Sequence, residues 1–174
     1  VQRQRIGFGA TRCEHHAGRA ARRVLESARE QIAVCFGATP AGVVFTSGGT
    51  EANALALHGL GAGRRLILGA TEHDAVRAAA PGATVLPVDR HGVADLGALA
   101  ALLAEGGPAL VCLMLANTET GVLHPVAEAA ALCRAHGARL HVDAVQAAGR
   151  MALNLAALGA DSLALSGHKL GGPL

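Results

Sequence analysis

Residues Leu110 to Ala116 (LVCLMLA) form an unbroken apolar run of strand length, bounded by Pro108 and by Asn117-Thr118-Glu119. A strand without polar positions has no solvent face. It is buried on both sides, which is the situation of a strand inside a parallel sheet covered by helices. The rest of the chain supplies such layers. Helical spacing runs over residues 17 to 36, with Ala21, Val24, Leu25, Ala28, Ile32 and Phe36 on one stripe and Arg22, Arg23, Glu26 and Arg29 opposite. Gly37 and Pro40 end it. The pattern then predicts strands at Val43 to Thr46, Leu66 to Leu68, Thr84 to Val88, Leu110 to Ala116, Arg139 to Asp143 and Ser162 to Ser166. Helices are predicted at Thr50 to Leu60, Asp74 to Ala80, Asp95 to Glu105 (Asp95 as N-cap), Val126 to His136 behind Pro125, and Leu155 to Leu158. Strands alternating with helices give an α/β fold with a mostly parallel sheet covered by helices, read as one domain.

Composition narrows the function classes. Of the 174 residues, 51% are hydrophobic and 16% charged, so ordering entropy is readily offset and disorder is excluded. No apolar run approaches the ~20 residues of a membrane span. A net charge of +2 and an aromatic content of 2%, without Trp or Tyr, provide neither the electrostatic footprint nor the stacking platforms of a nucleic-acid binder. Cys13, Cys35, Cys112 and Cys133 form no C-x-x-C pair and read as reduced, buried thiols of a cytoplasmic protein. Cys13, His15 and His16 stand too close together to supply tetrahedral ligands unaided, and no second pair has zinc spacing, so no metal site is expected.

In an open α/β sheet, ligands bind beyond the carboxyl ends of the strands. Polar clusters gather at those ends: Ser47-Gly48-Gly49-Thr50, Thr71-Glu72-His73, Asn117-Thr118-Glu119, Asp143-Ala144-Val145-Gln146 and Ser166-Gly167-His168-Lys169. SGGT before a helix is either a glycine turn with an N-cap or an anion site made of free N–H groups. His73 is either a cap or a group that stacks on a ring or moves protons. Asp143 ends an apolar strand, where a carboxylate needs a helix start or a cationic partner; Gln146 is near enough in sequence to reach the same ligand. Lys169 is the only lysine in the chain, in a Gly-flanked loop that reads as partly desolvated, a setting that suits Schiff-base chemistry.

These segments resemble a known family. FTSGGTEANALALHG (45–59), TEHDAV (71–76), LPVDRHGV (86–93), ANTETGVLHP (116–125), HVDAVQAAG (141–149) and SGHKLGGP (166–173) are similar, in order, to the cysteine desulfurases of the class V aminotransferase group. HHAGRAAR (15–22) is similar to that family's H-x-x-G-R segment. The resemblance implies the large domain of a fold type I transferase dependent on pyridoxal 5′-phosphate. It also implies roles. Lys169 forms the Schiff base and shuttles the substrate proton. Asp143 pairs with the pyridine nitrogen, Gln146 bonds the phenolic oxygen, and His73 stacks on the ring. Gly49, Thr50, Ser166 and His168 hold the phosphate. Thr118 stands where the family has a second Asn in contact with the cofactor, and Ala10-Thr11-Arg12-Cys13 replaces N-P-S-S. The implied reaction converts L-cysteine to L-alanine and an enzyme-bound persulfide for iron–sulfur or other thio-cofactor assembly. A homodimer and a sulfur-acceptor or scaffold partner are implied too. The family's persulfide cysteine, substrate-binding arginine and small C-terminal domain lie downstream of position 174, so the expectation is a fragment truncated at both ends and inactive alone. Two alternatives stay open: another class V enzyme, such as an aminotransferase or selenocysteine lyase, or a non-catalytic remnant.

Overall fold

The computed structural model describes residues 16–172, in two compact units divided between Val44 and Phe45. Cys13 and His15 lie outside the described residues.

The first unit is helix α1, His16–Phe36, followed by a 3₁₀ turn, Pro40–Gly42. The predicted stripe is not its buried face: Val24 is 71% exposed and Leu25 43%, while Ala33 is buried. The predicted strand at Val43 to Thr46 does not form. The N–H of Val43 is spent on Pro40, closing the 3₁₀ turn, and the segment pairs with no strand of the sheet. Its β-branched residues carry the propensity, but among the described residues no strand neighbours them to make a ladder.

The second unit holds the sheet. Its elements are α2 (Gly49–Leu60), β1 (Arg65–Gly69), α3 (Asp74–Ala79), β2 (Thr84–Leu86), α4 (Leu96–Ala104), β3 (Ala109–Met114), α5 (Val126–Ala135), β4 (Arg139–Asp143), α6 (Leu155–Leu158) and β5 (Ser162–Ala164), then a 3₁₀ turn, Gly167–Leu170. All strand pairs are parallel, in the order β2-β1-β3-β4-β5. Every residue of β3 is buried, as its unbroken apolar composition demands. Leu110 and Cys112 pack with Leu57 of α2, Leu68 of β1 and Val76 of α3. By strand alternation Val111 and Leu113 point the other way, the side on which α5 packs against β3 and β4. Asp95 caps α4 as its sequence position predicts, accepting the Ala98 N–H at 3.0 Å.

The order of strands positions the site. From β1 the chain moves outward to β2, then returns to the other side of β1 to form β3. That reversal opens a crevice beyond the carboxyl ends of β1 and β3, where neighbouring connections diverge. Register brings the ends of the inner strands level, with Met114 opposite Asp143 and Asp143 opposite Ala164. Among the described residues no helix is long and apolar enough to cross a membrane.

Candidate functional site

A cavity of about 580 Å³ lies at this edge, and all nine residues singled out from the sequence line it: Gly49, Thr50, His73, Thr118, Asp143, Gln146, Ser166, His168 and Lys169. They come from the start of α2 and from the ends of β1, β3, β4 and β5.

The floor is built around Asp143, which is 7% exposed. Its Oδ1 accepts the Val145 N–H at 3.0 Å, and its Oδ2 accepts Asn53 Nδ2 at 2.8 Å. No helix starts there, so the carboxylate is not an N-cap. Asn53 Oδ1 in turn faces His141 Nε2 at 2.9 Å, and His141 Nδ1 faces Ser162 Oγ at 2.8 Å. Burial drives the His141 imidazole down to about 4, so the ring is neutral. Beside this line lies Glu72, 2% exposed. Its carboxyl accepts the Met114 N–H and takes a contact from Cys112 Sγ at 3.8 Å. Burial pushes Glu72 up to about 8; the Met114 N–H pulls the other way, and the negative charge of Asp143 adds to the rise. Cys112 is likewise pushed up, by burial first and then by Glu72 and Asp143. Gly69 makes room for Glu72: a Cβ there would stand 3.0 Å from Glu72 Oε1 and 3.1 Å from Leu113 Cδ1.

One wall is the start of α2. Its N-cap, Gly48, makes no side-chain cap among the described residues, and the first N–H groups of a helix have no partner within it. Gly49 brings this backbone close to the floor, since a Cβ on it would lie 2.9 Å from Val145 Cγ2. Ser166 is buried, with its hydroxyl 3.0 Å from His168 Nδ1. Hydroxyl and N–H donors at a helix start are the donor set that anionic oxygens take. Gln146 Oε1 accepts Arg150 Nη1 at 3.3 Å, which leaves its amide nitrogen as the donor.

The rim is exposed. His73 caps α3 through Nδ1, which accepts the Ala75 N–H at 3.1 Å, so a neutral ring carries its proton on Nε2. Lys169 is exposed rather than partly desolvated. The 3₁₀ turn Gly167–Leu170, absent from the expected elements, lifts it clear of the strand end, and its backbone N–H closes on the Ser166 carbonyl at 3.1 Å. Thr118 is also exposed. The preceding Asn117 is consumed by the turn itself: its Oδ1 accepts the N–H groups of Glu119 and Thr120 at 2.9 Å each, and its Nδ2 donates to the Thr71 carbonyl at 3.2 Å. Of the cysteines, Cys112 and Cys133 are buried, but Cys35 is exposed, against the expectation for all of them.

Sequence reasoning missed Asn53 and did not single out Glu72 or His141 as site residues. His141 is two positions from Asp143 and so on the same face of β4, a signal that was available. Asn53 lies one helical turn beyond Gly49, a position that reads only as helix surface until the sheet is in place.

The parallel sheet covered by helices, with its crevice at the reversal, is the α/β fold that the chain shares with solved structures of NifS-like proteins. The chain belongs to the aminotransferase class-V family, whose model matches residues 7–174. It is 36% identical over 178 residues to the cysteine desulfurase IscS of Dictyoglomus turgidum, a match covering 95% of this chain and 45% of that protein. The structure of a NifS-like protein from Rickettsia africae superposes with a TM-score of 0.87 at 36% identity, over 93% of this chain and 47% of that one. A structure of SspA in complex with cysteine gives a TM-score of 0.80 at 26% identity, over 98% and 52%. The chain thus spans about half the length of these relatives.

Proposed function

We propose that this chain is the cofactor-binding part of a pyridoxal 5′-phosphate-dependent cysteine desulfurase. The observation that carries the reading is the cavity itself. A buried carboxylate, an uncapped helix start and the chain's sole lysine line one space at the sheet edge. The fit to the cofactor rests on Gly49, whose missing Cβ lets the α2 backbone approach Val145 and Ser166, and on a donor set suited to a phosphate.

In this reading Gly49, Thr50, Ser166 and His168 hold the phosphate. Asp143 would pair with the ring nitrogen and favour its protonated form, because a buried carboxylate favours a cation beside it. Gln146 offers its amide N–H to the ring oxygen, Thr118 offers a hydroxyl, and His73 covers the ring face. When bound, the cofactor supplies an aldehyde for the lysine and an electron sink for bond breaking at an amino acid's α-carbon. Lys169 would supply the amine that holds that aldehyde and the base placed to take or return a proton at the α-carbon. L-cysteine or a related amino acid is the substrate. The homodimer, the sulfur-acceptor or scaffold partner, the cytoplasmic location and the place of residues 1–174 as one large domain of a longer protein belong to the same proposal.

Adding the cofactor to the chain and recording its visible spectrum tests the reading. A protein-dependent band that disappears in Lys169→Ala is expected; no band in the wild-type chain contradicts the proposal. The 174-residue chain is expected to release no sulfide from L-cysteine above a free-cofactor control, and release above that control overturns this expectation.

A further inference from the structure

We propose that Asn53 is a positioning residue for Asp143: it is the last donor of a one-way hydrogen-bond relay, Ser162 to His141 to Asn53 to Asp143, that locks the carboxylate toward the cavity and sets the imidazole tautomer of His141. The inference rests on the reading above only for the identity of the group that Asp143 faces.

The direction follows from donor and acceptor chemistry. Asn53 Nδ2 donates to Asp143 Oδ2 at 2.8 Å, the amide nitrogen being the donor end of that side chain. The amide oxygen is then the atom at 2.9 Å from His141 Nε2, and that nitrogen carries a hydrogen. In a neutral imidazole the other nitrogen is bare, so Nδ1 accepts from the Ser162 hydroxyl at 2.8 Å. The fold enforces these placements. His141 and Asp143 are two apart on β4 and share a face, and Ser162 is the register partner of His141 on β5. Asn53 lies over both from α2, a helix that packs on β4 and β5.

Burial makes the arrangement consequential. Asn53 and His141 are 2% and 1% exposed, so water is not available as a substitute partner. Burial also keeps His141 neutral, which removes a competing cation from behind the carboxylate. Every dipole in the line points its positive end at Asp143, and aligned hydrogen bonds reinforce one another in a low-dielectric interior. With Val145 N–H on the other oxygen, the carboxylate is held at two points and cannot turn away from the cavity.

The test uses the ¹⁵N-labelled chain without cofactor and long-range ¹H–¹⁵N correlation of its histidine rings at pH 7. The expected result is a neutral His141 protonated on Nε2. An Nδ1–H tautomer or an imidazolium overturns the relay. In Asn53→Leu the Nε2–H preference is expected to be lost; its persistence in a folded variant shows that Asn53 does not set it. In Ser162→Ala, a milder change that spares Asn53, the tautomer is expected to be retained, and its loss contradicts the proposed direction. With pyridoxal 5′-phosphate added, Asn53→Leu is expected to bind about tenfold more weakly, with an altered pH dependence of the visible band. Equal binding and an unaltered pH profile in the folded variant overturn the positioning role. A wild-type chain that shows the Nε2–H tautomer but binds no cofactor supports the relay and contradicts the proposed function, so the two fail separately.

Discussion

The floor and the rim of the cavity are built on opposite principles. On the floor, Asp143, Asn53, His141 and Glu72 are all buried, and each spends its polar atoms on protein partners. On the rim, Lys169, His168, Thr118 and His73 are exposed, and the held contacts there are short-range ones, such as His73 to Ala75. The difference teaches where cost and chemistry lie. Buried polar groups are expensive unless satisfied, so the floor is fixed in the fold before any ligand arrives. The rim is left able to move an amine or an imidazole to a ligand.

If this contrast holds, substitutions on the floor alter stability and its pH dependence, while those on the rim alter ligand binding alone. The largest effect is expected at Glu72. Its carboxyl lies at about 8 in the folded chain against 4.5 as the ordinary value. An acid raised by folding contributes stability that is complete below pH 4.5 and is lost as pH rises through 8. Glu72→Gln keeps an acceptor for Met114 and removes the ionisation, so denaturant titrations at pH 8 and above should find it more stable than wild type by on the order of 3–5 kcal/mol. At pH 4 the two should differ little, and a difference independent of pH would break the account of Glu72.

The acid limb belongs to His141, lowered from 6.5 to about 4 by burial. A base depressed by folding contributes stability that is present above pH 6.5 and lost as pH falls through 4. The loss should amount to about 3 kcal/mol and should be absent from His141→Gln, as measured by urea midpoints over that range. Glu72 acts in the opposite sense where the two windows overlap, so the double variant should have the flattest profile.

Smaller still is the effect of a helix cap away from the cavity. Asp95→Ala removes the bond to the Ala98 N–H and should cost about 1 kcal/mol at neutral pH by thermal or urea unfolding. Smallest of all, Lys169→Ala on the rim should change stability by less than about 0.5 kcal/mol. A rim variant as destabilising as a floor variant would erase the distinction.

Much of this contrast was legible in the sequence, but unevenly. The continuous apolar run of β3 announced burial on both faces, and the punctuation by Gly, Pro and Asp95 marked the helices to within a residue or two. The rim and the carboxylate were legible as polar residues at the ends of apolar runs, which is why Asp143, Ser166 and Lys169 stood out. The segment Val43 to Thr46 misled because strand propensity says nothing about whether a partner strand exists. Asn53 and Glu72 escaped because their function depends on partners far along the chain, Asp143 and Met114, which no local pattern specifies. The exposure of Lys169 was hidden as well: glycines flanking a lone lysine are compatible with a buried loop or with the 3₁₀ turn that forms.

The central claim is that the lysine at the rim meets an aldehyde cofactor held over the carboxylate floor. Because Lys169 is the only lysine, the claim has a direct chemical test: incubation with pyridoxal 5′-phosphate, reduction with borohydride, and peptide mass spectrometry. The account predicts one phosphopyridoxyl group per chain, on Lys169, and a sharp loss of that labelling in Asp143→Leu. Labelling confined to the terminal amine, or equal labelling of Lys169 with and without Asp143, would contradict it.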